Sequence, residues 1–213
     1  MTRISCISDL HGSYPKLPGG DLLIIAGDLT SNDSAIAWHS FFDWLDRQQY
    51  RKIIYIGGNH DNFLSGLDEQ ERKDLCEENV EYLCDSACEF EGLKIWGSPH
   101  TLWFEGINPH CMAFTGNEEY LAEKFTLIPD DTDILITHMP PFGILDYTKR
   151  CIHVGSKKLL GAIDAIKPRV HIFGHIHEDG GSRLYYGGHT MCINASHMNA
   201  EYDSINPPIN FEL

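Results

Sequence analysis

A chain of 213 residues with a formal net charge of −15 has room for one large α/β core but not for two comfortable ones, and its surface repels polyanions. That disfavours long nucleic acid and acidic membranes as partners, except where bound metal ions reverse the sign locally, and no apolar run nears the roughly 20 residues of a membrane span. Hydrophobic content of 42% and aromatic content of 11% are those of a water-soluble globular protein.

In chain order, residues 3–8 read as a strand that ends at Asp9, "YPKLPGG" as a loop, and "DLLIIAGD" as a strand buried on both faces. Trp38, Phe41, Phe42 and Leu45 recur at helical spacing, which predicts an amphipathic helix over 34–48. "KIIYIGGNHD" is the next buried strand, and strand–helix–strand implies parallel pairing. The charged stretch 68–78 reads as a helix and "CEFEGLKIWGSP" as a hairpin turning at Glu91-Gly92. A helix near 118–125, the strand of "DILITHMPP", a helix over 156–166 and a strand from Val170 to Phe173 follow. "GGHTMCINAS" and "PPINFEL" supply two last strands, and no repeat or linker divides residues 1–213, which are expected to form a single domain.

The seven cysteines (Cys6, Cys76, Cys84, Cys88, Cys111, Cys151 and Cys192) are odd in number and include no C-x-x-C pair. Free thiols in a reducing, cytoplasmic setting are expected, because "MTRISCISDLHG" is already a strand entering a polar turn with no cleavable leader before it.

Each buried strand runs straight into residues able to bind a cation. They are Asp9-Leu10-His11, Gly27-Asp28, Gly58-Asn59-His60-Asp61, Thr137-His138 and Gly174-His175-Ile176-His177. In a parallel α/β sheet the carboxyl ends of the strands share one edge, so five clusters distant in sequence should converge on one crevice. Two carboxylates, four histidines and one asparagine, with no thiolate, suit Mn²⁺ first, then Fe or Zn²⁺, rather than Ca²⁺ or a copper–thiolate centre. The donors are too many for one ion, so two are expected, with the glycines before Asp28, Asn59 and His175 allowing close approach of the backbone. A phosphate-binding G-x-x-x-x-G-K-[ST] loop is lacking, since "GSKKLLG" has the wrong spacing.

D-x-H, G-D, G-N-H-D, H and G-H-x-H, in that order from residue 9 to residue 177, resemble the calcineurin-like metallophosphoesterase superfamily. "WGSPHTLWF", "THMPPFGILD", "HVGSKKLL", "FGHIHEDGG" and "INAS…NPPINFEL" are similar to its metallophosphoesterase-domain-containing group, itself similar to class III cyclic nucleotide phosphodiesterases. The resemblance implies an α/β fold, a β-sandwich of mixed sheets flanked by helices. It also implies that Asp9, His11 and His177 hold one metal, that Asn59, His138 and His175 hold the other, and that Asp28 bridges them. Some animal members of the group have glycine for the first histidine of G-H-x-H; His175 keeps the set complete here. His60 would face the phosphate as charge stabiliser and proton donor, while a metal-bridging hydroxide attacks phosphorus in line.

Other residues are less determined. Asp61 suits either fixing an imidazole from behind or capping a turn. His153, in a loop stiffened by Pro140-Pro141, and Asn59 and His60 are expected near the substrate. Trp103 and Phe104 fit either stacking on a base or packing, and Asn194 reads as a turn residue. His39, His100, His110, His171, His189 and His197 are expected at the surface or in structural hydrogen bonds. The expected partner is a small phosphoester or nucleotide, with a homo-oligomer left open. Phosphodiesterase comes first; a phosphomonoesterase or nuclease, or a non-catalytic nucleotide-binding regulatory module, are the alternatives.

Overall fold

Two β-sheets pack face to face because their strands are apolar on both sides. The computed structural model describes residues 1–104, 106 and 109–213. The first sheet is built from β1 (Arg3–Ile7), β2 (Gly20–Ala26), β3 (Tyr50–Ile56), β4 (Val80–Tyr82) and β13 (Ile209–Glu212), in the order β13-β1-β2-β3-β4. β1 to β4 run parallel, and β13 closes the edge antiparallel to β1. The second sheet has the order β11-β12-β10-β9-β6-β5, from β5 (Ser86–Phe90), β6 (Leu93–Ser98), β9 (Ile134–Thr137), β10 (Val170–Phe173), β11 (Ser182–Tyr186) and β12 (Thr190–Asn194). Its four central strands are parallel and its two edges antiparallel.

The period of two along each strand separates the layers. Leu22, Ile24, Ala26, Ile54 and Ile56 meet Ile95, Ile134, Ile136, Ile172 and Ile193 between the sheets. Leu23, Ile25, Ile53 and Tyr55 point the other way, onto Trp38, Phe41, Trp44 and Leu45 of α1 (Ala35–Leu45). Ser34 starts that helix by accepting the Ala37 N–H, a cap worth about 1 kcal/mol. On the opposite surface, α4 (Glu118–Phe125) and α5 (Lys157–Ile166) cover Trp96 and Leu135. Helix, sheet, sheet and helix thus form four layers.

Two expectations change. The sandwich of mixed sheets that the resemblance implies is present, so the strand ends belong to two sheets and not to the one parallel sheet that periodicity alone suggested, because a run that is apolar on both faces does not reveal which strands it pairs with. The charged stretch 68–78 is helical only over a short α3 (Glu69–Asp74), and a separate α2 (Asn62–Gly66) precedes it. Asp68 and Glu71 form a capping box that fixes the start of α3. Reciprocal Glu77–Val80 backbone bonds then end the helical region and feed β4. A small separate pair, β7 (Thr101–Leu102) and β8 (Thr115–Gly116), runs parallel. Among the described residues no helix is long and apolar enough to cross a membrane.

Candidate metal centre

Backbone donors stitch the five turns together. The Asp9 N–H donates to Gly27 O at 2.9 Å and the His11 N–H to Asp28 O at 3.0 Å. Asp9 accepts the His175 N–H at 3.0 and 3.1 Å, and Asp28 Oδ1 accepts the His60 N–H at 2.9 Å. Both carboxylates are thereby oriented by charge-assisted bonds, leaving their other lone pairs to face the histidines. Asp9, His11, Asp28 and His175 have φ of 51°, 42°, 53° and 67°. Left-handed backbone at four non-glycine residues is strain gathered at one place, as functional sites show. The close approach needs glycine at Gly58 and Gly174, where a Cβ would lie 2.3 Å from Asp28 Oδ1 and 2.1 Å from Asp9 Oδ2.

The side chains converge from both sheets. Asp28 Oδ2 lies 3.3 Å from His138 Nε2, 3.6 Å from His11 Nε2 and 3.9 Å from His60 Nε2. His177 Nε2 lies 3.2 Å from Asp9 Oδ1 and 3.4 Å from His11 Nε2. Asn59 Oδ1 is 3.2 Å from His138 Nε2, and His138 Nδ1 donates to Ala26 O at 2.8 Å, turning Nε2 into the centre. The rings of His138 and His175 stand edge to face at 5.0 Å. Asp9/His11/His177, His11/Asp28/His60 and Asp28/His138/His175 each bring their donor atoms within 4.8 Å of one another.

The charges are unbalanced. Burial works to raise Asp9 and Asp28, but His177 and His138 beside them outweigh it and hold both below the usual carboxylate range. Burial draws His11 down to about 4 and His175 to about 3, whereas Asp28 overrides burial at His138 and pushes it up to about 9. Among the described residues no lysine or arginine pairs with Asp9 or Asp28. Two facing imidazole nitrogens at 3.4 Å repel unless a proton or cation lies between them, and every inward donor is nitrogen or oxygen. The residues therefore fit a dinuclear site for cations of intermediate hardness.

The surroundings place two further residues of the sequence reading. Asp61 is fully buried and takes the turn-capping one of its two readings: its carboxyl group accepts backbone N–H groups, Gly58 at 2.8 Å and Leu29 at 3.0 and 3.3 Å, tying the second and third turns together. Burial and the Asp28 charge push it up to about 8. His153 does not face the centre. Its Nδ1 bonds Asp146 at 2.6 Å, while its neighbours Ile152 and Val154 line a cleft of about 400 Å³ that reaches Asn59 and His175. Alternation along an extended segment sends His153 to the other side. Trp103, Phe104, Leu102 and Met112 line the same cleft.

Asn194 is a buried tie, donating to Ile176 O at 2.8 Å. His100, His171, His189 and His197 make structural bonds to Asp85, Thr137, Thr190 and Asn206 O, and His39 and His110 are exposed. Two neighbours of the centre carry no motif. The Tyr202 ring stands 5.1 Å from His11 and 4.8 Å from His177, and Cys111 Sγ lies 3.2 Å from His60 Nδ1.

Comparison with known proteins agrees with this fold. Metallophosphoesterase domain-containing protein 1 of Homo sapiens is 36% identical over 237 residues, covering 100% of this chain and 71% of that one. TT1561 of Thermus thermophilus shares the fold at TM-score 0.61 and 15% identity, over 99% of this chain and 98% of that one. A dimetal phosphatase from Danio rerio does so at 0.50 and 13%, over 91% and 86%. The family model for calcineurin-like phosphoesterases matches residues 2–179, and with that match and the human relative the chain belongs to the calcineurin-like phosphoesterase family.

Proposed function

We propose that this metallophosphoesterase is a phosphodiesterase acting on small substrates, cyclic nucleotides among them, with Mn²⁺ as its preferred metal. The observation that carries the reading is Asp28, whose Oδ2 faces His11 on one side and His138 on the other. Asp9, His11 and His177 would hold one ion, Asn59, His138 and His175 the second, with Asp28 shared. Two such cations lower the pKa of water and neutralise phosphoryl oxygens.

The protein's own groups do the rest. Asp9 and Asp28 keep their charge because backbone N–H groups hold them in place. His60, its side chain 20% exposed, has Nε2 3.9 Å from Asp28 Oδ2, a position from which it would donate to a phosphate oxygen and to the leaving group of a bound ester. Asn59 borders both the centre and the cleft. Trp103, Met112, Ile152 and Ile176 offer the organic arm of the ester an apolar wall, with Arg150 and Glu178 as polar ends. The seven free thiols accord with a reducing, cytoplasmic setting.

The test is hydrolysis of bis-p-nitrophenyl phosphate, p-nitrophenyl phosphate and 2′,3′- and 3′,5′-cyclic nucleotides by Mn²⁺-reconstituted protein. Diester turnover exceeding monoester turnover and abolished by chelation is expected. Monoester turnover alone would make the protein a phosphatase, and nucleotide binding with no turnover would make it a regulatory module.

A further inference from the structure

The segment carrying Cys111 braces the Asn59–Asn62 turn at four points. His110 O accepts from Asn62 Nδ2 at 3.2 Å, Cys111 O accepts from Asn59 Nδ2 at 3.4 Å, and the Ala113 N–H donates to Asn59 O at 3.2 Å. The fourth contact is Cys111 Sγ to His60 Nδ1 at 3.2 Å. His60 therefore has one ring nitrogen against a thiol and the other, Nε2, toward Asp28 at 3.9 Å.

A neutral imidazole carries one proton, and its partner at Nδ1 decides where. A carboxylate there would accept, drawing the proton to Nδ1 and leaving Nε2 bare. A thiol can donate through S–H. We infer that Cys111 is a positioning residue for His60: its S–H donates to Nδ1 and keeps N–H on Nε2, the nitrogen facing the centre, while its carbonyl holds the Asn59 amide with oxygen turned to His138. The inference rests on the reading of His60 as the group that donates to the phosphoester: as the Nε2 proton passes to the leaving oxygen, the S–H proton passes to Nδ1, so the charge left behind lies on a Cys111 thiolate, no imidazolate forms, and solvent restores the thiol.

The test joins a spectrum to kinetics. Long-range ¹H–¹⁵N spectra of the zinc-loaded wild type, with His60→Gln to assign the signals, should show His60 as the neutral Nε2–H tautomer. Cys111→Ala should lose that preference, and Cys111→Ser, whose hydroxyl can donate, should keep it. A wild-type Nδ1–H tautomer, or a Cys111→Ala spectrum identical to wild type, overturns the inference. In turnover, Cys111→Ala should lower kcat on an alkyl phosphodiester about tenfold and clearly more than on an aryl one, with KM and metal content unchanged and Cys111→Ser, whose hydroxyl is a far weaker acid, restoring only part of the loss. Equal losses on both esters, or a loss of metal, mean a merely structural role and also overturn it. If the wild type hydrolyses no phosphoester, the proposed function fails, and the spectra alone decide the role of Cys111.

Discussion

Among the described residues, the Asp–His clusters around Asp85 and around Asp9 and Asp28 are built to opposite ends. Around Asp85, Oδ2 accepts from His100 Nε2 at 2.8 Å and Lys124 Nζ at 2.9 Å, and Oδ1 accepts from Ser98 at 2.8 Å. Tyr120 completes the chain by donating to His100 Nδ1 at 2.9 Å. One negative charge meets one positive charge and each donor has an acceptor, so the cluster pins α4 to the second sheet. At the metal centre two carboxylates meet four histidines with no lysine or arginine among the described partners, and the His11 and His177 nitrogens face each other. Burial and His–Asp proximity are common to both clusters. What separates a site from a brace is whether the protein's own protons satisfy its lone pairs.

Substitutions should divide along that line. Asp28→Ala is expected to have the largest effect on catalysis, removing metal and lowering turnover by about 10³-fold or more, about 4 kcal/mol of barrier; metal content and kcat measure it. His60→Gln should keep the metal and lower kcat by about 10²–10⁴-fold, with an alkyl ester suffering far more than an aryl one. Asp85→Ala should do the reverse of both. It leaves metal content alone and destabilises the fold by about 2 kcal/mol by stranding Lys124, His100 and Ser98, as urea unfolding would read.

The Asp85 cluster also carries an acid signature. Burial opposes its ionisation, but the bonds from His100, Lys124 and Ser98 win, lowering it from 3.8 to about 2. A depressed folded pKa gives stability that is complete above the unfolded value and is lost as pH falls through the folded one. Unfolding free energy should therefore drop between about pH 4 and pH 2 in wild type, and Asp85→Asn should flatten that slope. The smallest effect is expected at His153→Ala. Its imidazole is 43% exposed and turned to Asp146, so kcat/KM should change by no more than about 0.5 kcal/mol.

Much of this site could be read from the residues, because each donor directly follows an apolar run and so reports its own strand end. The start of α1, the bounds of α4, α5 and β10 and the Glu91-Gly92 hairpin follow from local periodicity and turn chemistry in the same way, whereas α1 stops at Leu45, three residues short of the expected end. Pairing between distant strands leaves no local trace, so the two sheets were legible only through the family resemblance and not from the periodicity of the strands themselves. The role of Asp61 turned on which backbone N–H groups another loop would present to it. His153 sits in an extended loop whose face is set by contacts far along the chain. Cys111 and Tyr202 reach the histidines from loops with no fixed spacing to any motif, and only the side-chain geometry reveals them.

The central claim is that the strand ends hold two cations across Asp28. Anomalous diffraction from crystals grown with Mn²⁺ tests it most directly. Two peaks about 3.5–4 Å apart, one beside Asp9, His11 and His177, the other beside Asn59, His138 and His175, with Asp28 touching both, are the predicted result. A single peak, or manganese bound elsewhere with Asp28 in contact with neither ion, would contradict it.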